Sequence, residues 1–197
     1  MLQQLSFWKS LSNDFGRVGA VMPSSRYLGR AMASVASRVS TSGVLEVGAG
    51  TGAITDHLLR VGEAANDEGA LDYDSIPGSQ LILVERCELM SDVLRKKYAS
   101  ASTKVLCMDV QSVDAKRLPF RPDLIVSSVP FFSLPPADRE SIMRKYIELL
   151  PVGGHVLQYT YNLNVSFFKR FEGLKLVSRR TVLRNVPPAQ VLLLRRV

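Results

Sequence analysis

The segment from Val44 to Gly52 reads V-L-E-V-G-A-G-T-G and places one carboxylate before three glycines at alternate positions. The apolar residues before the glycines have strand character, and a helix-compatible run, Ala53 to Arg60, follows them. Because glycine adopts backbone angles that other residues avoid, a ligand can lie directly against the main chain of such a turn. The segment predicts a strand, a tight turn that binds a planar or charged ligand, and a helix.

The residue before the glycines separates two classes of ligand. The small residues of the turn and Ala53 would suit a dinucleotide whose pyrophosphate lies on the helix N-terminus. Glu46, however, favours a cationic ligand over a pyrophosphate. The stretch from Glu46 to Gly52 resembles the first motif of class I S-adenosylmethionine-dependent methyltransferases, whose cofactor carries an ammonium and a sulfonium group. The resemblance implies that the cofactor is bound by Glu46, Gly48, Gly50, Thr51 and Gly52. A turn that only joins a strand to a helix is the remaining interpretation.

Carboxylates also stand at the ends of the next two predicted strands. Leu81 to Glu85 is predicted to be a buried strand that ends in Glu85, and a third strand is predicted directly before Asp109. Ligands of an open parallel sheet bind at the carboxyl ends of its strands, where Glu85 could accept both ribose hydroxyls and Asp109 the adenine amine. An acid after the second strand and another after the third, here Glu85 and Asp109, also resemble the class I methyltransferases. The resemblance implies that Arg86 and Val110 border the cofactor as well.

A fourth strand is predicted to end at an apolar turn. Its end, Ser128 to Phe131, reads S-V-P-F and resembles the fourth motif of amino-group methyltransferases, with serine in place of an amide or acid. That replacement weakens the acceptor for a nucleobase amine and argues against adenine or cytosine as substrate. The resemblance implies that Ser127 borders the cofactor, that Ser128 and Phe131 are catalytic, and that Pro130 contacts the substrate.

The last third of the chain predicts one more parallel strand and a hairpin. His155 to Tyr161 alternates so that Tyr159 and Tyr161 face the same way. Two late strands, Leu174 to Arg184 and Ala189 to Arg195, are joined by a proline-containing turn. Five strand-helix units followed by a hairpin give the α/β, Rossmann-like architecture of class I methyltransferases: a seven-stranded, mostly parallel sheet with an antiparallel last strand, plus N-terminal helices.

The 197 residues suffice for one well-buried core, so we predict a single methyltransferase domain, 1–197. Residues 1–40 would form N-terminal helices and a lid, and residues 41–197 the catalytic core. Leu5, Trp8 and Leu11 lie on one stripe of an amphipathic pattern, which favours either packing on the core or contact with a membrane interface. Ser24 or Ser25 could cap the helix that follows.

Charge and cysteine content indicate the partner and the compartment. The formal net charge is +7, and eight basic residues against one acidic residue follow from Lys169 onward, so we expect an anionic partner. Cys87 and Cys107 are too few and too widely spaced for a disulfide framework or a zinc site, which indicates a reducing, cytoplasmic compartment and no metal. Neither a signal peptide nor a membrane-spanning stretch is predicted.

Four segments together point to a narrower family within the class I methyltransferases. They are the loop 19–25, the variant fourth motif at 127–130, Gln158 to Tyr161, and the stretch from Arg184 to Ala189. Together they resemble bacterial phospholipid N-methyltransferases. That resemblance implies stepwise methylation of phosphatidylethanolamine to phosphatidylcholine, with S-adenosyl-L-homocysteine as the second product, by a peripheral enzyme on the inner face of the cytoplasmic membrane. An rRNA adenine N6-methyltransferase, an ornithine-lipid or other amine methyltransferase, and a cofactor-binding module without turnover remain alternatives.

The same resemblance assigns a substrate site. An amine that becomes a quaternary cation would be surrounded by aromatic faces, which we expect from Tyr159 or Tyr161, Phe131 and Tyr27. A lipid phosphate needs a donor, which Arg184 or Arg26 could provide. Asn185 is expected to contact the substrate beside Arg184. We expect an anionic membrane surface as partner, with no nucleic acid and no obligate protein partner.

Overall fold

A computed structural model of the chain, which describes residues 25–59, 80–98, 100 and 102–197, shows one β-sheet covered by helices. The strands are β1 Gly43–Val47, β2 Gln80–Glu85, β3 Thr103–Cys107, β4 Leu124–Ser127, β5 His155–Thr160, β6 Leu174–Val182 and β7 Ala189–Arg196. Their order is β3-β2-β1-β4-β5-β7-β6, and β7 runs antiparallel to both of its neighbours while the other pairs are parallel. The predicted seven-stranded sheet with an antiparallel last strand is confirmed.

Helices cover both faces of this sheet. They are α1 Arg26–Ala36, α2 Thr55–Leu59, α3 Glu88–Lys97, α4 Pro136–Leu149 and α5 Ser166–Arg170. Helix α1 begins at a cap in which Ser25 Oγ accepts a hydrogen bond from the Leu28 amide. Of the two serines predicted as the cap, Ser25 therefore takes this role. Its residues Leu28 and Met32 are buried on one stripe. Helix α2 is shorter than the predicted Ala53 to Arg60, because the first residues after the glycines are still in turns.

The sheet separates two apolar cores. Alternate residues of β1 enter different cores: Val44 packs with α1, α2 and α3, and Leu45 packs with α4 and α5. All five residues of β1 are buried, as expected for a central parallel strand with helices on both faces. The middle of the sheet is therefore a rigid support for whatever lies at its carboxyl edge.

Strand order determines where a crevice opens at that edge. The chain passes from β1 to β2 and β3 on one side and then returns to β4 on the other side of β1. Connections that leave β1 in opposite directions open a crevice at the carboxyl ends of β1 and β4, which is where open α/β sheets bind ligands. The glycine turn after β1 lies at this position.

Several predictions fall outside the described residues. The predicted membrane-contacting residues Leu5, Trp8 and Leu11 lie there, as does most of the predicted lid. Within the described ranges, the structure contains no helix that is both long enough and apolar enough to cross a bilayer.

Candidate active site

The glycine turn has the backbone that its sequence predicts. Gly48, Gly50 and Gly52 have φ angles of 72°, 57° and 87°, all in the left-handed region that favours glycine. A Cβ atom added at Gly50 would meet no heavy atom within 4 Å, whereas one added at Gly48 would lie 3.6 Å from the Ser128 carbonyl carbon. The turn therefore has open space beside Gly50 and close packing against β4 beside Gly48.

Tyr98 supports the turn from behind, a role that no sequence motif indicated. Its Oη lies 3.0 Å from the Gly52 carbonyl oxygen and 2.7 Å from Asp56 Oδ1, and Lys97 Nζ contacts the other Asp56 oxygen at 2.5 Å. Burial, and then the neighbouring Asp56, raise the pKa of the Tyr98 hydroxyl well above its usual range. Tyr98 is therefore a neutral donor that ties α3 to the turn and to α2.

Glu46 lies beneath the turn and is fully buried. Its Oε2 accepts a hydrogen bond of 2.7 Å from Thr55 Oγ1, and its Oε1 has no hydrogen-bond partner among the described residues. Burial raises the pKa of this carboxyl group from 4.5 to about 8, although the bond from Thr55 opposes the shift. Glu46, predicted to present a carboxylate to a ligand at the turn, is thus covered and linked to α2 through one of its two oxygens.

Glu85, at the end of β2, touches the glycine turn directly. Its Oε2 accepts a hydrogen bond of 2.9 Å from the Gly50 amide, and its Oε1 accepts one of 2.9 Å from the Cys87 amide. Each carboxylate oxygen retains acceptor capacity for a further donor. Glu85 therefore lies beside the open space at Gly50, where ribose hydroxyls were predicted to bind. Arg86, the next residue, is exposed.

Asp109 and Val110 follow β3 in different environments. Asp109 is exposed, and its Oδ1 accepts a hydrogen bond of 2.8 Å from the Gln111 amide, so it caps the short 3₁₀ turn Val110–Ser112. Val110 is buried in the core on the α4 side of the sheet. Asp109 keeps one oxygen for a ligand, whereas Val110 could contact one only through its main chain.

The two serines at the end of β4 point in different directions. Ser127, predicted to border the cofactor, has its Oγ 2.8 Å from Tyr146 Oη in the core under α4. Ser128 Oγ is buried with no hydrogen-bond partner among the described residues, and its backbone packs against Gly48. A buried hydroxyl without a partner is costly, so Ser128 is suited to bind a ligand at the turn.

Phe131 does not join the tyrosines, contrary to the prediction. It starts a 3₁₀ turn after Pro130 and is buried on the α4 side of the sheet, with ring centroids 5.5 Å from Phe168 and 6.2 Å from Tyr146. Tyr159 belongs to the core on the opposite face. The turn at Pro130, which is half-buried, directs Phe131 inward because an apolar ring gains more from the core than from the crevice.

Tyr159 and Tyr161 lie together at the end of β5, as predicted. Their rings meet edge to face with centroids 5.7 Å apart; Tyr159 is buried and Tyr161 is partly exposed. Burial raises the pKa of Tyr161, and a hydrogen bond with Asn185 opposes that shift. Tyr161 thus lies beside Asn185, which is in the turn between β6 and β7.

Asn185 links that turn to the start of α1. Ser25 Oγ donates a hydrogen bond of 2.5 Å to Asn185 Oδ1, and Asn185 Nδ2 donates one of 2.6 Å to the Pro187 carbonyl oxygen. We call this set of contacts the Asn185 latch. Because Asn185 is buried in it, its predicted contact with a substrate becomes a role in positioning its neighbours.

Two arginines and a tyrosine lie at the outer side of the latch. The Cζ atoms of Arg26 and Arg184 lie 5.0 and 5.8 Å from the ring centroid of Tyr27. Arg26 Nη2 also donates a hydrogen bond of 3.0 Å to Tyr27 Oη. The predicted substrate residues Arg26, Tyr27 and Arg184 are therefore neighbours, although β6 and α1 are far apart in the sequence.

The chemistry available at this edge of the sheet is that of binding and alignment. Within the described part of the chain, no group of His, Cys, Asp and Glu side chains is arranged to hold a metal ion. What the edge offers is open backbone at Gly50, carboxylates of Glu85 and Asp109, an unsatisfied hydroxyl at Ser128 and an aromatic pair.

Comparison with known proteins bears on the fold. No protein-family model and no curated protein sequence matched the chain. Among solved structures, N-methyltransferase NodS from Bradyrhizobium japonicum, in complex with S-adenosyl-L-homocysteine, aligns over 87% of this chain and 85% of its own at 14% identity and a TM-score of 0.63. A putative RNA methyltransferase from Pyrococcus horikoshii aligns over 86% of this chain and 80% of its own at 19% identity and a TM-score of 0.59.

A third neighbour is longer than this chain. TrmN from Thermus thermophilus aligns over 86% of this chain at 20% identity and a TM-score of 0.63, and the chain spans about half of it, 48%. At such identities the likeness establishes the fold, which is the Rossmann-like fold of S-adenosylmethionine-dependent methyltransferases.

Proposed function

We propose that the chain is an S-adenosylmethionine-dependent N-methyltransferase that methylates the amine of phosphatidylethanolamine and of its mono- and dimethyl forms, towards phosphatidylcholine. The observation that carries the proposal is a meeting of two groups of side chains at one edge of the sheet. The turn with Glu85 and Ser128 is suited to the cofactor, and the tyrosines with Arg26 and Arg184 are suited to a cationic headgroup and its phosphate.

The residues at the turn fit such a cofactor. Beside Gly50 there is room for a ribose, and Glu85 can accept its hydroxyls with the acceptor positions that the backbone bonds leave. Asp109, exposed at the end of β3, can accept the adenine amine. Ser128 Oγ is a buried oxygen that a donor could satisfy. The bound cofactor supplies an electrophilic methyl group on a sulfonium.

In the proposed reaction the headgroup amine must reach this methyl group without its extra proton, since an ammonium has no lone pair. With the cofactor bound, the new nitrogen–carbon bond would replace its carbon–sulfur bond, the electron pair of that bond would stay on sulfur, and the amine's proton would pass to water. The chain contributes alignment and removal of water, which can lower such a barrier by several kcal/mol. The faces of Tyr159 and Tyr161 tolerate each added methyl group because they attract the cation without requiring an N–H donor.

The two arginines provide the second half of headgroup recognition. Arg26 and Arg184 flank Tyr27 at the exposed side of the latch. A guanidinium group binds a phosphate oxygen pair with two parallel hydrogen bonds. A phosphodiester held here would place its ethanolamine arm near Tyr161, which lies beside Asn185 of the same latch.

We place the proposed enzyme at the inner face of the cytoplasmic membrane, where its lipid substrate and its cofactor meet. The basic C-terminal part of the chain suits an anionic surface. An RNA adenine methyltransferase is the competing function, since basic charge would suit RNA equally well. Ser128 argues against it because a hydroxyl replaces the amide or acid of the amino-group methyltransferase motif.

Methyl transfer from radiolabelled S-adenosylmethionine tests the proposal. Purified protein would be incubated in parallel with phosphatidylethanolamine vesicles, ornithine-lipid vesicles and ribosomal RNA. We expect label in the mono-, di- and trimethyl forms of phosphatidylethanolamine, and at least a tenfold lower rate in Arg184→Ala than in Arg144→Ala, an exposed arginine on α4. Label confined to RNA would overturn the lipid proposal, and label confined to ornithine lipid would overturn the headgroup assignment.

A further inference from the structure

Three large apolar side chains are exposed beyond the carboxyl end of β5. Leu183 and Val186 are 75% and 83% exposed in the turn between β6 and β7, and Leu163 is 65% exposed in the loop between β5 and α5. Scattered apolar residues are normal on a protein surface. These three are different because the loop that contains Leu163 is bonded to β6, the strand that leads into the turn with Leu183 and Val186. We call residues 183–188 the hairpin tip.

Strand register places the hairpin tip at the mouth of the candidate active site. Thr160, the last residue of β5, pairs with Gln190 of β7, and Val182 of β6 pairs with Ala189. The six residues of the tip therefore extend past the end of β5, on the same edge of the sheet as the glycine turn. Arg179 Nη2 donates a hydrogen bond of 3.3 Å to the Leu163 carbonyl oxygen, which joins the second segment to β6.

The tip is held in an outward position. Asn185, within the tip, is buried and bonded to Ser25 and to the Pro187 carbonyl oxygen, and prolines 187 and 188 restrict the backbone of the tip. Leu183 and Val186 lie on either side of this anchored residue and remain exposed. Because Asn185 is anchored, the turn holds the side chains of Leu183 and Val186 in water.

Positive charge lies along β6 and in the turn that contains Leu183 and Val186. Residues 173–197 contain no Asp or Glu, and the exposed side chains near the tip include Arg179, Arg180 and Arg184. Apolar side chains flanked by arginine match the interfacial region of an anionic bilayer, where acyl chains lie beneath phosphates. An RNA backbone would attract the arginines but would leave Leu183 and Val186 in water.

We propose that the hairpin tip and Leu163 form a membrane-docking surface: Leu183, Val186 and Leu163 enter the interfacial layer of an anionic bilayer while the arginines contact lipid phosphates. The inference rests on the proposed function, because an enzyme that methylates a lipid headgroup needs a membrane-docking surface at the mouth of its site. In this orientation Tyr27 and Tyr161 face the headgroups, so the substrate amine reaches the site while its acyl chains stay in the bilayer.

Vesicle flotation with the full chain tests this surface. The vesicles contain phosphatidylethanolamine with phosphatidylglycerol, and binding is compared between the wild type, the double variant L183D/V186D, and the control V152D/V197D. Val152 and Val197 are similarly exposed, at 74% and 65%, but lie at the opposite edge of the sheet. We expect the tip variant to bind at least tenfold less strongly and the control to bind like the wild type.

Retention of S-adenosyl-L-homocysteine binding and of the melting temperature shows that each variant is folded. A folded tip variant that binds vesicles as well as the wild type would overturn the docking surface, as would equal loss in the control or no binding by the wild type. Loss of ribosomal RNA binding in the tip variant, with vesicle binding intact, would also overturn it. If the tip variant alone loses vesicle binding while the wild type transfers no methyl group to phosphatidylethanolamine, the surface stands and the proposed function fails.

Discussion

The buried carboxyl group of Glu46 makes folding stability depend on pH. Its pKa is about 8 in the folded protein and close to 4.5 when solvated, so between these values the folded state holds a proton that the unfolded state has lost. The free energy of unfolding should therefore fall as pH rises through this window, by about 3 kcal/mol between about pH 5.5 and pH 8.5.

The variant Glu46→Gln tests this at the residue level. Its amide oxygen can still accept the hydrogen bond from Thr55, but it has no proton to lose. Urea denaturation should show that the variant is more stable than the wild type at the alkaline end and has a flatter pH dependence. Equal pH dependence in the two proteins would contradict the assignment of the buried group.

Two glycines of the same turn should respond differently to alanine. At Gly50 a Cβ has open space, so Gly50→Ala should fold with a cost of only about 1 kcal/mol for its positive φ but should lose cofactor affinity, because the methyl group fills the ligand's place. At Gly52 a Cβ would collide with the Tyr98 hydroxyl, so Gly52→Ala should lower the melting temperature itself. Calorimetric titration with S-adenosyl-L-homocysteine and thermal melts measure the two effects; similar behaviour of the two variants would contradict them.

On both sides of the site, residue types were enough to place some side chains and not others. Glu85 could be placed because an acid at the carboxyl end of a buried strand has only one sheet edge to face. Tyr98 could not, since a tyrosine at the end of an amphipathic helix has no signal that separates support of a turn from ordinary packing. Phe131 was misplaced because the direction of a side chain after proline depends on which core has room for it.

At the level of elements, the Asn185 latch joins the start of α1 to the turn between β6 and β7. Ser25→Ala and Asn185→Ala each remove one partner of the same hydrogen bond, so their effects on the free energy of unfolding should not add. We expect a coupling energy of about 1 kcal/mol from urea denaturation of the two single variants and the double variant. Additive effects would show that the two residues act independently.

The latch should also matter for turnover. Asn185→Ala should lower kcat/KM for the amine substrate about tenfold or more and leave cofactor affinity unchanged, because the turn beside Tyr161 loses its bond to Ser25 while Glu85 and Gly50 are untouched. Asn164→Ala, in the exposed loop before α5, provides a matched control. A parallel loss of cofactor affinity in Asn185→Ala would instead indicate that the whole edge of the sheet had loosened.

Strands were predictable from the sequence because buried parallel strands are short apolar runs bounded by turn residues, as β2 and β4 are. The latch was not, because its two partners are 160 residues apart in the chain. Local periodicity contains no information about which distant turn meets a given helix cap. The sequence placed Arg26, Tyr27 and Arg184 in one site only through the family resemblance.

For the whole molecule, the proposed cofactor site lies where the two halves of the sheet meet. Glu85 and the glycine turn belong to β2 and β1, and Ser128 follows β4, so a ligand that contacts all of them can bind only when the central sheet is formed. A ligand that binds the folded state alone stabilises it by about 2.7 kcal/mol when present at 100 times its dissociation constant. For a domain of this size that corresponds to a rise in melting temperature of roughly 5 to 10 °C.

Thermal melts with S-adenosyl-L-homocysteine should show this shift in the wild type and not in Glu85→Ala, which loses the carboxylate that faces the open space at Gly50. The melting temperature of Glu85→Ala without ligand provides the control for folding, since the variant also loses the bonds from the Gly50 and Cys87 amides. A shift with NAD and none with S-adenosyl-L-homocysteine would restore the dinucleotide interpretation of the turn, because both ligands fit glycines at this spacing and only the groups around them distinguish the two.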